Sequence, residues 1–501
     1  GMDWWGALDR GGARTYTSLV SRKIIGAVVL AAAFAVVPTG WALYGRSQPP
    51  PTPAGRPPGA PAAVLAIRDE PAPSRRVEPP RPALPVRSRP EGARPMGPTA
   101  IPAAAAEKSF EEKIEAALAG MDTCLVVADG GHHQVVSRYP DRPLIPASTQ
   151  KLLVAAAALS RLGPGFRYQT DVIAPQAPRD GEVGELWVLG GGDPVLATAE
   201  YAAHLASRAR TAGIPTTSLE ALADALVAQG IRAVRGPIHG DDTRYEATRY
   251  LPTWKESYRT RRDVAPLSAL TINGGWRTWT PRTQPPDDPA AHVASELARL
   301  LRLRGVIIDG PADRSAAPPE ASILARVTSP PLAGIIAGML RSSDNLTAEL
   351  LTRELGRQMA GEATTAAGAG MVIREVSRLG VGVEGLRLVD GSGLDTGNRA
   401  TCGQLAAALD LGARPRLGAL WEGLAVAGRS GTLARSMVGT PFEGRLRAKT
   451  GSIEGVSGLV GFLEGGRTLR FALLVNGAFS SGRPVQERIL KILADHAASS
   501  P

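Results

Sequence analysis

A chain of 501 residues that is 44% hydrophobic, 21% charged and 5% aromatic is long enough for two or three cores, which excludes a peptide, a coiled coil and a collagen. Its formal net charge of +10 invites a nucleic-acid reading, but most of the excess lies in residues 1–106. The rest has no dense Lys/Arg run with interleaved aromatics, so no nucleic-acid partner is expected.

Residues 24–44 are uncharged and follow Arg22 and Lys23, a stretch long enough to cross a bilayer. They predict a transmembrane anchor or signal segment, with 1–23 cytoplasmic and all that follows exported. Pro38 and Trp41 suit a small-residue cleavage site poorly, which favours the anchor. Residues 45–106 read as a Pro-rich disordered linker, since 17 of the 42 prolines fall between Ser47 and Ala106.

Order is expected from Glu107, where Phe110, Ile114, Ala117 and Leu118 recur at helical spacing. A hairpin follows, with strands Cys124–Ala128 and His132–Ser137 around Asp129-Gly130-Gly131. His132 and His133 are adjacent, so they point to opposite faces, and no HExxH pair exists; neither a metal nor an organic cofactor is expected. A helix is predicted from Ser148 through Leu152, Leu153, Val154 and a run of alanines. Near the other end, Leu459–Leu463 and Thr468–Val475 predict a second hairpin, and Val485 to Ala497 a closing amphipathic helix. Together these imply an α/β (α+β) fold, one antiparallel sheet covered by helices on both faces. Cys124 and Cys402, the only cysteines, allow at most one bridge; their pairing is open, as is the oligomeric state.

The chain has only 7 lysines and 4 asparagines, so motifs that need them are informative. Ser148-Thr149-Gln150-Lys151 is its one SxxK, Ser343-Asp344-Asn345 its one SxN and Lys449-Thr450-Gly451 its one KTG. Singly each fits a bland role: a helix cap, a helix start, a strand end. Jointly, and in this order, they are expected by chance on the order of once in a thousand such chains. Positions three apart on a helix share a face, so the Lys151 amine can reach the Ser148 hydroxyl and make it a nucleophile. Lysine serves as a base only if its pKa falls, which burial and Lys449 nearby both favour. Ser343 can pass a proton and Asn345 can hold a substrate amide. Lys449 and Thr450, on an expected edge strand, can bind a carboxylate, and Gly451 lets a substrate backbone approach. The N–H groups of Ser148 and Ser452 are the expected oxyanion hole.

At these motifs the sequence resembles the active-site-serine penicillin-recognising enzymes. Leu189-Gly190-Gly191-Gly192-Asp193-Pro194, Gly236-Pro237-Ile238 with Asp241 and Asp242, Ala265-Pro266-Leu267-Ser268-Ala269-Leu270, Asp390-Gly391-Ser392-Gly393-Leu394 and Gly431-Thr432-Leu433 narrow the likeness to class C low-molecular-mass penicillin-binding proteins. The resemblance implies a penicillin-binding transpeptidase/β-lactamase-like catalytic domain over 107–170 and 332–501, with an inserted domain over 171–331. Only 41 residues separate Pro194 from Gly236, too few for a third domain. It further implies a serine-type D-alanyl-D-alanine carboxypeptidase, with or without D,D-endopeptidase action, outside the cytoplasmic membrane. Its partners would be peptidoglycan stem peptides and β-lactams. Ser148 would be acylated, with Lys151 its base, Ser343 and Asn345 the second element, and Lys449 and Thr450 the carboxylate binders. Asp395 stands where that family usually has Ser, which leaves the role of the position open. A β-lactamase would need a glutamate positioning water, for which the sequence offers no clear candidate. A non-catalytic penicillin-binding wall protein would not need all three motifs intact.

Overall fold

The computed structural model describes residues 100–130, 133–477 and 482–499. The segments read as cytoplasmic, membrane-spanning and, for the most part, linker lie outside these, as does His132. Among the described residues no helix is long and apolar enough to cross a membrane.

The first helix, Ala100–Leu118, begins inside the stretch assigned to the linker, so ordered structure starts ahead of Glu107. Ala103 to Ala106 are strong helix formers, and Pro102 falls in the first turn, where its missing N–H costs nothing. Phe110, Ile114 and Leu118 are buried, as their spacing predicts.

Six strands form the main sheet, in the order Ala425–Val426, Leu446–Ile453, Val456–Leu463, Leu469–Asn476, Asp122–Asp129, Gln134–Arg138. All its pairings are antiparallel. Alternation along the strands divides the core. Leu125, Val127, Leu459, Phe471 and Leu473 face the two terminal helices, Ala100–Leu118 and Arg483–Ser499. Val126, Val460, Ala472 and Leu474 face a helical layer made of Lys151–Arg161, Leu332–Ser342, Asn345–Ala360, Thr365–Arg378 and Cys402–Asp410. Within that layer Cys124 of the sheet is disulfide-bonded to Cys402, the first residue of its helix.

Residues 169–328 build a sheet and core of their own. Strands Ala312–Arg314, Ile238–Asp241, Leu186–Leu189, Gln169–Ala174 and Ser322–Thr328 lie side by side in that order. Helices Leu219–Ala228 and Pro289–Arg302 bury Leu222, Leu226, Val293 and Leu297 against them. The chain enters by Gln169–Ala174 and leaves by Ser322–Thr328, and these two strands pair antiparallel. A smaller cluster of Tyr245, Trp254, Tyr258 and Leu267 packs on Leu346, Leu350 and Leu394 and so seats this part against the helical layer.

Candidate active site

Residues 147–150 form a 3-10 turn rather than the first turn of an α-helix, and Lys151 is the first α-helical residue. The tighter winding follows from Ala147, whose φ is 47°, and from Thr149, whose hydroxyl donates to the Pro146 carbonyl at 2.6 Å. The turn leaves Ser148 half-exposed and Lys151 fully buried.

Lys151 Nζ sits 2.8 Å from Ser148 Oγ and 2.7 Å from Asn345 Oδ1, and also donates to the Ser392 carbonyl. Two of these partners accept only, whereas the hydroxyl can also donate. A neutral amine therefore spends its two N–H groups on Asn345 and Ser392 and turns its lone pair to Ser148. Burial pushes the amine down to about 8, against the pull of Asp390, Asp344 and Glu349 and with a smaller push from Arg210.

Ser343 ends the Leu332–Ser342 helix in the left-handed region, at φ 62°. Its Oγ accepts from Lys449 Nζ at 2.9 Å, and the same amine donates to the Thr450 carbonyl at 2.6 Å. Burial, then Lys151, then Arg210 hold Lys449 well below the usual lysine range. Asp344 caps the next helix, its Oδ1 accepting from Thr347 N at 2.6 Å. Asn345 Nδ2 is anchored on the Asp263 carbonyl at 2.7 Å.

Lys449 to Ser452 lie on the Leu446–Ile453 strand. On its outer side Ala425–Val426 pairs only with Arg447 and Ala448, so the edge is open from Lys449 onward. Thr450 Oγ1 donates to Thr432 Oγ1 at 2.8 Å, and Ser452 is exposed. Gly451 answers first to a different neighbour from the one expected. A Cβ there would meet the Pro146 carbonyl at 2.9 Å and Thr149 N at 3.1 Å, so its bareness lets the nucleophile turn pack on the strand.

The three motifs thus converge on one centre. The sequence singled out the Asp390–Leu394 stretch without giving it a role, and it missed Glu349. Ser392 acts through its main-chain carbonyl. Asp390 organises the loop by accepting from Trp254 Nε1, Gly393 N and Asp395 N. Glu349 takes the N–H groups of Gly391 and Ser392 at 3.1 and 2.7 Å. Glu349 lies four residues after Asn345 on one helix face, which is the signal that could have pointed to it. Asp395 sits behind the centre, its Oδ1 accepting from Gly397 N. The insert motifs lie outside the centre and are structural. Asp193 accepts from Val195 N and Thr217 Oγ1, and Asp242 from Arg314, Arg249 and Ser268. Gly191 abuts the Gln169 carbonyl, which leaves no room for a side chain at that turn. Among the described residues no cluster of His, Cys, Asp or Glu could hold a metal ion.

Comparison with known proteins matches the chain to the D-Ala-D-Ala carboxypeptidase 3 (S13) family over residues 110–286 and 280–498. It is 30% identical over 464 residues to the D-alanyl-D-alanine carboxypeptidase of an Actinomadura species, covering 77% of this chain and 82% of that protein. It is 30% identical over 367 residues to carboxypeptidase DacB of Mycolicibacterium smegmatis, covering 70% and 75% respectively. Among solved structures, penicillin binding protein 4 (dacB) from Haemophilus influenzae superposes with a TM-score of 0.64 at 20% identity, over 78% of this chain and 98% of that one. That likeness establishes the mixed α/β, penicillin-binding-protein-like fold.

Proposed function

The chain belongs to the D-Ala-D-Ala carboxypeptidase 3 (S13) family, and from that membership we propose how its residues divide the work. It is a serine peptidase, a D-alanyl-D-alanine carboxypeptidase. Its substrates are peptidoglycan stem peptides, and β-lactams acylate it.

Neutral Lys151 takes the Ser148 proton as Oγ attacks the carbonyl carbon of the penultimate D-Ala. The N–H groups of Ser148 and Ser452 receive the oxyanion. The tetrahedral intermediate collapses with cleavage of the peptide bond, and the leaving amine takes its proton through Ser343 from the lysine pair. Water then attacks the Ser148 ester, its proton going to Lys151, and Lys151 returns that proton to Ser148 Oγ as the acyl bond breaks and the shortened peptide leaves. Asn345 holds the peptide amide. The terminal carboxylate sits against Lys449 and Thr450, and its arrival restores the charge that burial takes from Lys449. The peptide lies along the open edge of the strand beyond Ala448.

The observation that carries this reading is the 2.8 Å contact between a fully buried lysine amine and a half-exposed serine hydroxyl. Glu349, the glutamate in this network, faces the Gly391–Ser392 backbone rather than Ser148, which supports a peptidase over a β-lactamase. The Cys124–Cys402 disulfide favours an oxidising compartment outside the cytoplasm, in keeping with a membrane anchor at residues 24–44. The test is an intact-mass time course with benzylpenicillin, alongside D-Ala release from a peptide ending in D-Ala-D-Ala. A persistent adduct of one penicillin and D-Ala release, both lost in Ser148→Ala, are expected. Rapid consumption of penicillin without an adduct would transfer the protein to the β-lactamases.

A further inference from the structure

Part of the insert lies directly against the acyl-transfer centre, and the steps above give it no task. The segment after the Ala199–Ala206 helix contacts the end of the Leu332–Ser342 helix, next to Ser343, and the Gly431–Leu433 turn that supports the substrate strand. The Ala209 carbonyl accepts from Gly431 N at 3.2 Å, in the turn that carries Thr432, the hydroxyl partner of Thr450. Arg210 places both Nε and Nη2 on the Ser342 carbonyl, at 3.2 and 3.0 Å. Ile214 fills the space beside Gly338, where an added Cβ would meet its Cγ2 at 3.3 Å. One short strap therefore ties the end of the Leu332–Ser342 helix to the support of the substrate strand.

The Ser342 carbonyl belongs to the peptide plane that precedes Ser343, so fixing it sets one of the two planes between which the φ and ψ of Ser343 are defined. That φ is 62°, a region a serine occupies only when its surroundings impose it, and it is the one that presents the hydroxyl to Lys449. A second contact from the helix side, Asp344 N to the Met339 carbonyl at 3.0 Å, holds the other flank.

We propose that Arg210, carried by the insert, is a positioning residue of the acyl-transfer site: its guanidinium clamps the Ser342 carbonyl, holds Ser343 in reach of Lys449, and brings a positive charge beside the two lysines. The proposal rests on the acyl-transfer reading of that site. The charge has a definite sign of effect. Asp390, Asp344 and Glu349 bear on Lys151 and favour its protonated form, while Arg210 opposes them; on Lys449, Arg210 and Lys151 act in the same direction. Removing the cation makes the lysines hold their protons to higher pH, which withdraws the base from Ser148.

The test is the second-order rate of acylation of the full chain by benzylpenicillin from pH 6 to 9, with a melting temperature for each variant. Arg210→Lys keeps the charge and loses the two-pronged clamp; it is expected to acylate about 10-fold more slowly with the acid limb of the profile unmoved. Arg210→Met loses both; it is expected to be slower still, with the acid limb displaced to higher pH. Should Arg210→Met fail to fold, Arg210→Gln carries the same expectation. Neutral variants that acylate like wild type across the profile, or that slow with an unmoved acid limb, overturn the proposal while wild type still acylates. Wild type that takes no penicillin at Ser148 overturns the acyl-transfer reading instead, and this inference with it.

Discussion

At Lys151 burial outweighs charge: it lowers the lysine to about 8 although three carboxylates pull the other way. Acylation is therefore expected to rise with pH from 6, to be half-maximal near 8 and to level about one pH unit above that, as the amine loses its proton; a profile flat over that range would assign the base elsewhere. Lys449→Ala should lose about 100-fold or more in kcat/KM on a peptide ending in a free carboxylate and much less on the corresponding neutral amide, compared by parallel kinetics. Glu349 is a buried acid raised to about 7 by desolvation and by Asp390. Its folded-state pKa lies above its unfolded value, so its contribution to stability is complete below about 4.5 and is lost as pH rises through 7. Glu349→Gln keeps an acceptor for the Gly391 and Ser392 N–H groups but cannot ionise. Its melting temperature should consequently fall less than that of wild type between pH 5 and 8. The side chains of the three motifs were legible in sequence because reactive chemistry needs particular residue types. Ser392 was not legible, since a carbonyl oxygen carries no signature of the residue that bears it.

At the scale of elements, the hairpins and the terminal helices were readable because their periodicities are local and long enough to register. The edge position of the Lys449 strand was also anticipated. The sheet of residues 169–328 was not, because several of its strands run only three or four residues, too short for an alternating pattern. The glycines of the centre repay attention here, since two of them exist to let elements touch. Gly393, at φ 85°, would place a Cβ 2.1 Å from the Ala147 carbonyl and 3.0 Å from Ser148 N. Gly393→Ala should therefore destabilise by about 2–4 kcal/mol and slow acylation, because relief of the clash displaces the nucleophile turn; urea melts and penicillin kinetics would measure the two effects separately.

For the molecule as a whole, the Cys124–Cys402 bond spans 278 residues, and the insert lies inside the loop it closes. By loop-closure entropy such a bond is worth about 5 kcal/mol, so Cys402→Ser or a strong reductant should lower the melting temperature markedly without touching the acylation chemistry. Whether Cys124 and Cys402 pair was open in sequence because two cysteines 278 residues apart do not announce their distance in space. The order of the main sheet has a bearing on biogenesis too. Asp122–Asp129 pairs with Leu469–Asn476, so the strand made first waits for the one made last. The insert, bounded by its own paired strands, can fold while the remainder is still being synthesised. A nascent chain released before Leu469 carries Ser148, Lys151, Ser343, Asn345 and Lys449 yet lacks the strand that joins the two parts of the sheet. Carboxypeptidase activity thus arises only after Leu469–Asn476 has joined the sheet.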